Sequence, residues 1–236
     1  GMLTKRVGEI AAMAGMVVVA SAGNSGKNAA GDERFAGITT PGVAPSAITV
    51  GAMTTWGTDN PDDDVVASYS SRGPTRSFWT DSNGAKRYDH LIKPDLVAPG
   101  NLIIGAQAKE NEIIENNSEL NASSGLADDK RKMMYMSGTS MSTPVVSGAA
   151  ALLFQVNPNL TPQMIKMILE YTAQPLAGYN MFEQGAGQLN VEGAVRLAKA
   201  YRTDINFNMM GVQGTPLLAV NPTASPSPSP SSSPTS

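Results

Sequence analysis

Residues 138–148 read GTSMSTPVVSG, from Gly138 through Ser140 and Pro144 to Gly148, and the reading of this stretch governs the rest of the chain. It lies between a short apolar run, residues 133–136, and a stretch of small and apolar residues reaching about Gln155 that includes Ala149 to Ala151. The first reads as a strand and the second as a buried helix that approaches its neighbours closely. Ser140 then falls at or beside a helix N-terminus, where free backbone N–H groups and the positive end of the helix dipole favour negative charge. The oxyanion of an acyl transfer needs that environment. Gly138 leaves room for a substrate backbone, and Pro144 is expected in the first helical turn, where its missing N–H loses no bond. Taken alone, the Ser and Thr residues could simply cap the helix. A G-x-S-x-G elbow would need Gly at Ser142.

Upstream, Ser21-Ala22-Gly23-Asn24-Ser25-Gly26 closes the apolar run 16–22, which reads as a strand covered on both faces. Its carboxyl edge is where ligands bind in open α/β sheets, and a side-chain amide there can donate outward. A P-loop would need Gly at Ser21 and Ser or Thr at Asn28. By itself Ala-Gly-Asn also fits a tight turn with Asn in the left-handed conformation.

Leu3, Val7, Ile10, Ala11 and Ala14 recur at helical spacing and Gly15 stops the pattern. Further strand candidates are residues 47–53, 65–69, 95–97 and 102–104. Thr161-Pro162 reads as an N-cap with an N1 proline before the apolar face of Met164, Ile165, Ile168 and Leu169. Asn190 caps a last helix in which Ala194, Val195 and Ala198 face inward. Strands alternating with helices argue for a layered α/β fold. Two stretches break the pattern. Residues 107–132 are polar with little periodicity and read as a long surface insertion, and 222–236 contain only Pro, Ser, Thr and Ala after Pro222, which reads as a linker or stalk.

With these residues in hand, the chain resembles the subtilase family of serine peptidases. Residues 138–148 are similar to its nucleophile signature GTSMAxPxVxG, with Ser142 in place of Ala, and residues 21–24 are similar to its AAGN strand end. PGVAPSAITVGA (41–52), SYSSRGP (68–74) and KPDLVAPG (93–100) extend the resemblance, which covers roughly residues 3–200. It implies a three-layer subtilisin-like α/β fold, a mostly parallel central sheet flanked by helices, with its N-terminal part missing. The catalytic domain portion would run over 1–221. It further implies a serine endopeptidase acting through an acyl-enzyme on Ser140, with the Asn24 amide donating to the oxyanion. Ala22, Gly23, Gly138 and Thr139 are the expected substrate-binding residues, and the Thr40-Pro41 bond is expected cis at the pocket floor.

Subtilases use Asp, His and Ser in that chain order, and the Asp and HGTxVA-like His segments are not in this sequence. The only histidine, His90, lies between Asn24 and Ser140, whereas the family's His precedes its Asn. His90 therefore reads as a surface or turn residue. A Ser hydroxyl without a base is a weak nucleophile, so this chain alone is expected to be inactive. Its expected partners are a polypeptide substrate and the missing N-terminal half, whose absence would leave a sheet edge open to self-association. The competing reading is a subtilase-like pseudoenzyme or protein-binding module.

Composition narrows the rest. The formal charge is −3, from 17 basic and 20 acidic residues without a basic run, which gives no footprint for nucleic acid or anionic membrane. The absence of cysteine excludes thiol chemistry and thiolate metal sites. No apolar stretch approaches the roughly 20 residues of a membrane span, and the start has no signal-peptide pattern. Asp59, Asp62, Asp63 and Asp64 share a loop without EF-hand spacing, so no metal is assigned. No cofactor is required for the chemistry, although the family often binds structural calcium. Family and stalk together imply a secreted or cell-surface protein.

Overall fold

Seven consecutive uncharged residues, ITVGAMT, form the strand around which the sheet is built: β2 (Ile48–Thr54), buried along its whole length. A strand with no polar face must be covered on both sides. In the computed structural model, which describes residues 2–58, 60–123, 131–202 and 218, β1 (Val19–Ser21) runs parallel along one edge of β2 and β6 (Leu96–Pro99) parallel along the other. Val50 is the shared rung, opposite Ser21 on one side and Leu96 on the other. The two-residue β3 (Val65–Val66) adds an antiparallel pair at Met53 and Thr54. Beyond β6 the chain at 187–189 continues the sheet, with Val97 N donating to Gly187 O and Leu189 N to Val97 O. The outer edge of β1 has no strand partner among the described residues.

Helices cover this sheet. α1 (Met2–Met13) precedes β1, and its Gly8 lies against Val18 and Ala44, on the side where Ala20 packs with Ala44 and Ala47. α3 (Thr139–Val156) lies over β1, β2 and β6, burying Val146, Ala149, Ala150 and Leu153. Pro144 is not in its first turn, as the sequence suggested, but at the sixth helical position. The ring there removes the amide that would otherwise bond to the Ser140 carbonyl. α4 (Pro162–Thr172) begins as its residues predict, with the Thr161 side chain accepting from Met164 N and Ile165, Ile168 and Leu169 buried. α6 (Val191–Ala200) is capped by Asn190, whose side chain accepts from Gly193 N.

The expected insertion begins and ends on a hairpin formed by β7 (Ile103–Ala106) and β8 (Met133–Met136), closed by Gln107 N donating to Lys132 O; of its residues the structure describes 107–123 and 131–132. Within them is a short helix, α2 (Glu112–Asn116), whose N-terminus is capped by the Asn111 side chain. Besides α2, two elements had no counterpart in the sequence reading. One is the exposed hairpin of β4 (Phe78–Thr80) and β5 (Lys86–Tyr88), its turn held by Asp81 accepting from Asn83 N and Ala85 N. The other is α5 (Met181–Gln184), fixed by a capping box between Asn180 and Glu183. The expected strand 65–69 stops at Val66 because Ser70 N turns back to Ala67 O.

The chain forms two compact units, Gly1–Lys199 and Ala200–Ser236; within the second, Tyr201 and Leu218 form an isolated antiparallel bridge. The Pro/Ser-rich stretch 222–236, residues 124–130 of the insertion and Asp59 of the acidic loop lie outside the described residues.

Behind β6 the core holds charge. Lys93, 2% exposed, donates to Asp95 Oδ2 at 2.6 Å and to Ala47 O at 2.9 Å. Lys166 on α4 reaches Asp95 Oδ1 at 3.0 Å and Pro45 O at 2.8 Å, and Thr49 N donates to Asp95 Oδ2. Burial pulls the Lys93 ammonium down to about 8, and Asp95 opposes that pull. Removing one member of a buried pair leaves an uncompensated charge, which costs about 3–5 kcal/mol. Asp95→Asn is therefore expected to lower the Tm by about 10 °C, read by circular dichroism. A loss under about 1 kcal/mol would mean that Lys93 sheds its proton instead.

Candidate active site

At the end of β1 the chain leaves the sheet through Ala22, which is fully buried; its N–H donates to Val50 O and its carbonyl accepts from Thr39 N. Gly23 follows at φ 105°, and a Cβ there would lie 2.8–2.9 Å from Thr39 Oγ1 and Ser71 Oγ. Only glycine fits both the angle and the space. The turn throws Asn24 out to an exposed position at the carboxyl edge of the sheet.

The second half of the site comes from the start of α3. Gly138 N donates to Gly100 O at 2.8 Å, and Gly138 caps the helix at φ 154° without a side chain. A Cβ at Gly138 would stand 3.2 Å from Asn24 Nδ2, crowding that amide. Thr139, fully buried, then joins the two segments. Its backbone N–H and its hydroxyl both donate to Asn24 Oδ1 at 3.0 Å, while Gly23 N donates to Thr139 Oγ1 at 3.1 Å. An amide oxygen has two lone pairs, and both are used. The Asn24 NH₂ group is therefore the end turned away from Thr139, and among the described residues its N–H groups meet no acceptor. Ser140, the next residue, is exposed in the first turn of α3. Tyr69 borders the same turn, its hydroxyl donating to Gly100 O at 2.9 Å; burial raises the phenol pKa, and a hydrogen bond from the Gly138 backbone opposes that.

The site thus brings together Ala22, Gly23, Asn24, Gly138, Thr139 and Ser140 from positions more than a hundred residues apart. It does not include His90, which follows β5 at φ 45°, sets its ring tilted by 31° against that of Tyr88 with centres 5.6 Å apart, and makes no hydrogen bond to Ser140. The Thr40-Pro41 bond is cis as expected; Gly73-Pro74 and Lys93-Pro94, cis as well, were not anticipated. In the acidic loop Thr58 Oγ1 donates to Asp63, and among the described residues no three His, Cys, Asp or Glu side chains are grouped to hold a metal. Sequence reasoning also passed over Ser71 and Arg72, which hold the Asn24 loop from behind. Their only signal was membership in the SYSSRGP stretch.

Ser142, where the family signature has Ala, is fully buried, and its hydroxyl has no hydrogen-bond partner. It packs where a Cβ on Gly100 would collide with it. Burying an unsatisfied hydroxyl costs free energy. Ser142→Ala is expected to stabilise the chain by about 1 kcal/mol, a rise of roughly 2–4 °C in Tm. A fall in Tm would show that the hydroxyl is bonded in solution.

The Peptidase_S8 model, described as the subtilase family, matches residues 2–191. This chain belongs to the subtilase family. Serine protease AprX of Bacillus subtilis is 38% identical over 190 residues, covering 80% of this chain and 37% of that protein. Subtilisin-like protease SBT6.1 of Arabidopsis thaliana is 32% identical, covering 84% of this chain and 16% of that protein. The chain thus spans well under half the length of these subtilases. Among solved structures, fervidolysin from Fervidobacterium pennivorans, a keratinolytic enzyme related to subtilisin, superposes with a TM-score of 0.57 at 27% identity, over 81% of this chain and 24% of that one. The self-cleaved protease domain of PatA gives 0.53 at 27% identity, over 83% and 54%. The three-layer α/β subtilisin-like fold of the family follows.

Proposed function

We propose that this chain carries the nucleophile and oxyanion donor of a serine endopeptidase. Ser140 forms the acyl-enzyme and the Asn24 NH₂ group receives the oxyanion. Gly23 and Gly138 let the substrate backbone approach, while buried Ala22 and Thr139 shape the cleft from behind. The observation that carries this reading is the double donation of Thr139 to Asn24 Oδ1, since it aims the amide donors outward beside an exposed Ser140.

The base and its orienting Asp come from a segment outside this sequence, and without them the chain is inactive alone. A docking place for that segment is available. Along the unpaired edge of β1 runs a cavity of about 710 Å³ lined by Val17, Val19, Ala150, Ala151 and Phe154, with Met16 exposed at its rim. An added strand would bury that apolar surface and pair the open edge. The chemistry uses protein groups alone; the substrate is polypeptide, and the family together with the Pro/Ser-rich end supports a secreted or cell-surface setting.

The test is labelling with a fluorescent fluorophosphonate. This chain is expected to stay dark, the protein that joins it to Asp- and His-bearing segments to label, and Ser140→Ala in that protein to abolish the signal. A dark joined protein would favour the pseudoenzyme reading.

A further inference from the structure

The loop that carries Asn24 is held from behind by a second segment, residues 69–72. Gly26 N donates to Tyr69 O at 2.9 Å, Ser71 N to Gly23 O at 2.8 Å, and Ser25 N to Ser71 Oγ at 3.0 Å. The first two are backbone bonds that hold whatever the side chains are, and the third needs the Ser71 hydroxyl. Arg72 adds something else. Its side chain is 3% exposed, in a position where an uncompensated cation would be costly. Its Nη1 donates to Gly26 O at 2.6 Å, its Nε to Glu183 Oε1 at 3.1 Å, and its Nη2 to Glu33 Oε1 at 3.2 Å, with the Phe35 ring 5.9 Å away.

Each of these partners belongs to a different part of the fold. Gly26 closes the Asn24 turn, Glu183 lies in α5 and is itself fixed by accepting from Asn180 N, and Glu33 lies in the loop that returns to Gly26 through Arg34 N. Gly26 has no freedom on its other side, since a Cβ there would run into the carbonyls of Ser68 and Ser70. The loop is therefore gripped at one end by Thr139 on Asn24 and at the other by Arg72 on Gly26, two residues apart.

We infer that Arg72 is a positioning residue for the oxyanion donor: its guanidinium, anchored on Glu183, fixes the Gly26 carbonyl and through it the direction of the Asn24 amide. This rests on the oxyanion reading of Asn24. Arg72 touches no reacting atom, and its effect passes entirely through the loop. A planar fork that bonds three acceptors at once cannot be reproduced by the single nitrogen of lysine, which can serve Glu183 or Gly26 but not both with the same geometry. Charge survives in Arg72→Lys and the grip on the loop does not.

The experiment is a double-mutant cycle in the joined protein, with kcat and KM measured on a peptide substrate for the parent, Arg72→Lys, Asn24→Ala and the double variant, and Tm for each. Arg72→Lys is expected to lower kcat by roughly 10- to 100-fold with KM changed less than about threefold, because a displacement of about 1 Å in a catalytic group costs that much. In the Asn24→Ala background the same substitution is expected to cost less than about twofold. If the two losses multiply, or if Arg72→Lys leaves kcat unchanged, Arg72 does not act through Asn24 and the inference fails. If Asn24→Ala is itself without effect, the oxyanion reading fails first and the cycle reports that separately. Should Arg72→Lys not fold, Glu183→Gln removes the anchor while keeping the cap, and the same non-additivity with Asn24→Ala is required of it.

Discussion

In the protein that joins this chain to its Asp- and His-bearing segments, Ser140→Ala is expected to lower kcat for peptide hydrolysis by about 10⁶-fold, the order found when Ser or His is removed from the subtilisin triad. That is about 8 kcal/mol of barrier. The size follows from the site. Of the other hydroxyls in the signature, Ser142 is fully buried and cannot replace Ser140, and Thr139 is committed to Asn24 and Gly23. What would remain is the rate that binding and the oxyanion donor supply without covalent chemistry. Activity persisting within about tenfold of the parent would place the acyl group elsewhere and end the assignment.

Asn24→Ala in the same protein is expected to cost about 10²- to 10³-fold in kcat with KM little altered, as loss of the corresponding donor does in subtilisin. An interaction made only in the transition state lowers kcat and kcat/KM together. Asn24→Asp sharpens the test. A carboxylate at this position can still accept from Thr139 N and Oγ1, so the tie at 3.0 Å is kept while the outward donors are lost. It is expected to be at least as slow as Asn24→Ala, because a second carboxylate oxygen would face the developing negative charge. If Asn24→Asp kept the parent kcat, the role of Asn24 would be the tie itself and not donation.

Much of the sheet and its helices was legible because each element announced itself locally. The run of uncharged residues in β2 has one reading, and Thr161-Pro162 and Asn190 are end signals that the side chains fulfil at Met164 N and Gly193 N. The hairpin of β4 and β5 was missed because its strands have three residues each and neither face is buried, so no alternation marks it; Asn83-Gly84 was the signal available. The capping pair Asn180 and Glu183 likewise marked a helix of only four residues. In the candidate site, Asn24 and Ser140 were singled out through family likeness, but the contacts that hold them together were not. Thr139 looked like a cleft residue, and its buried double donation depends on a partner 115 positions away. Arg72 and Lys93 defied reading for a different reason: charged residues default to the surface, and only tertiary partners reveal that these two lie inside.

The tie between Thr139 and Asn24 also bears on how the site tolerates motion. Ser140 is covalently next to Thr139, and Asn24 is hydrogen-bonded to it, so a small slide of α3 over the sheet carries the proposed nucleophile and donor in the same direction, within the play that the Arg72 hold on Gly26 allows. Thermal jitter of the helix is then shared by both and largely cancels in the spacing between them, as noise common to two wires cancels in their difference. With the roles proposed for them, substrate binding has to correct only the position of the peptide, not the alignment of Ser140 and Asn24.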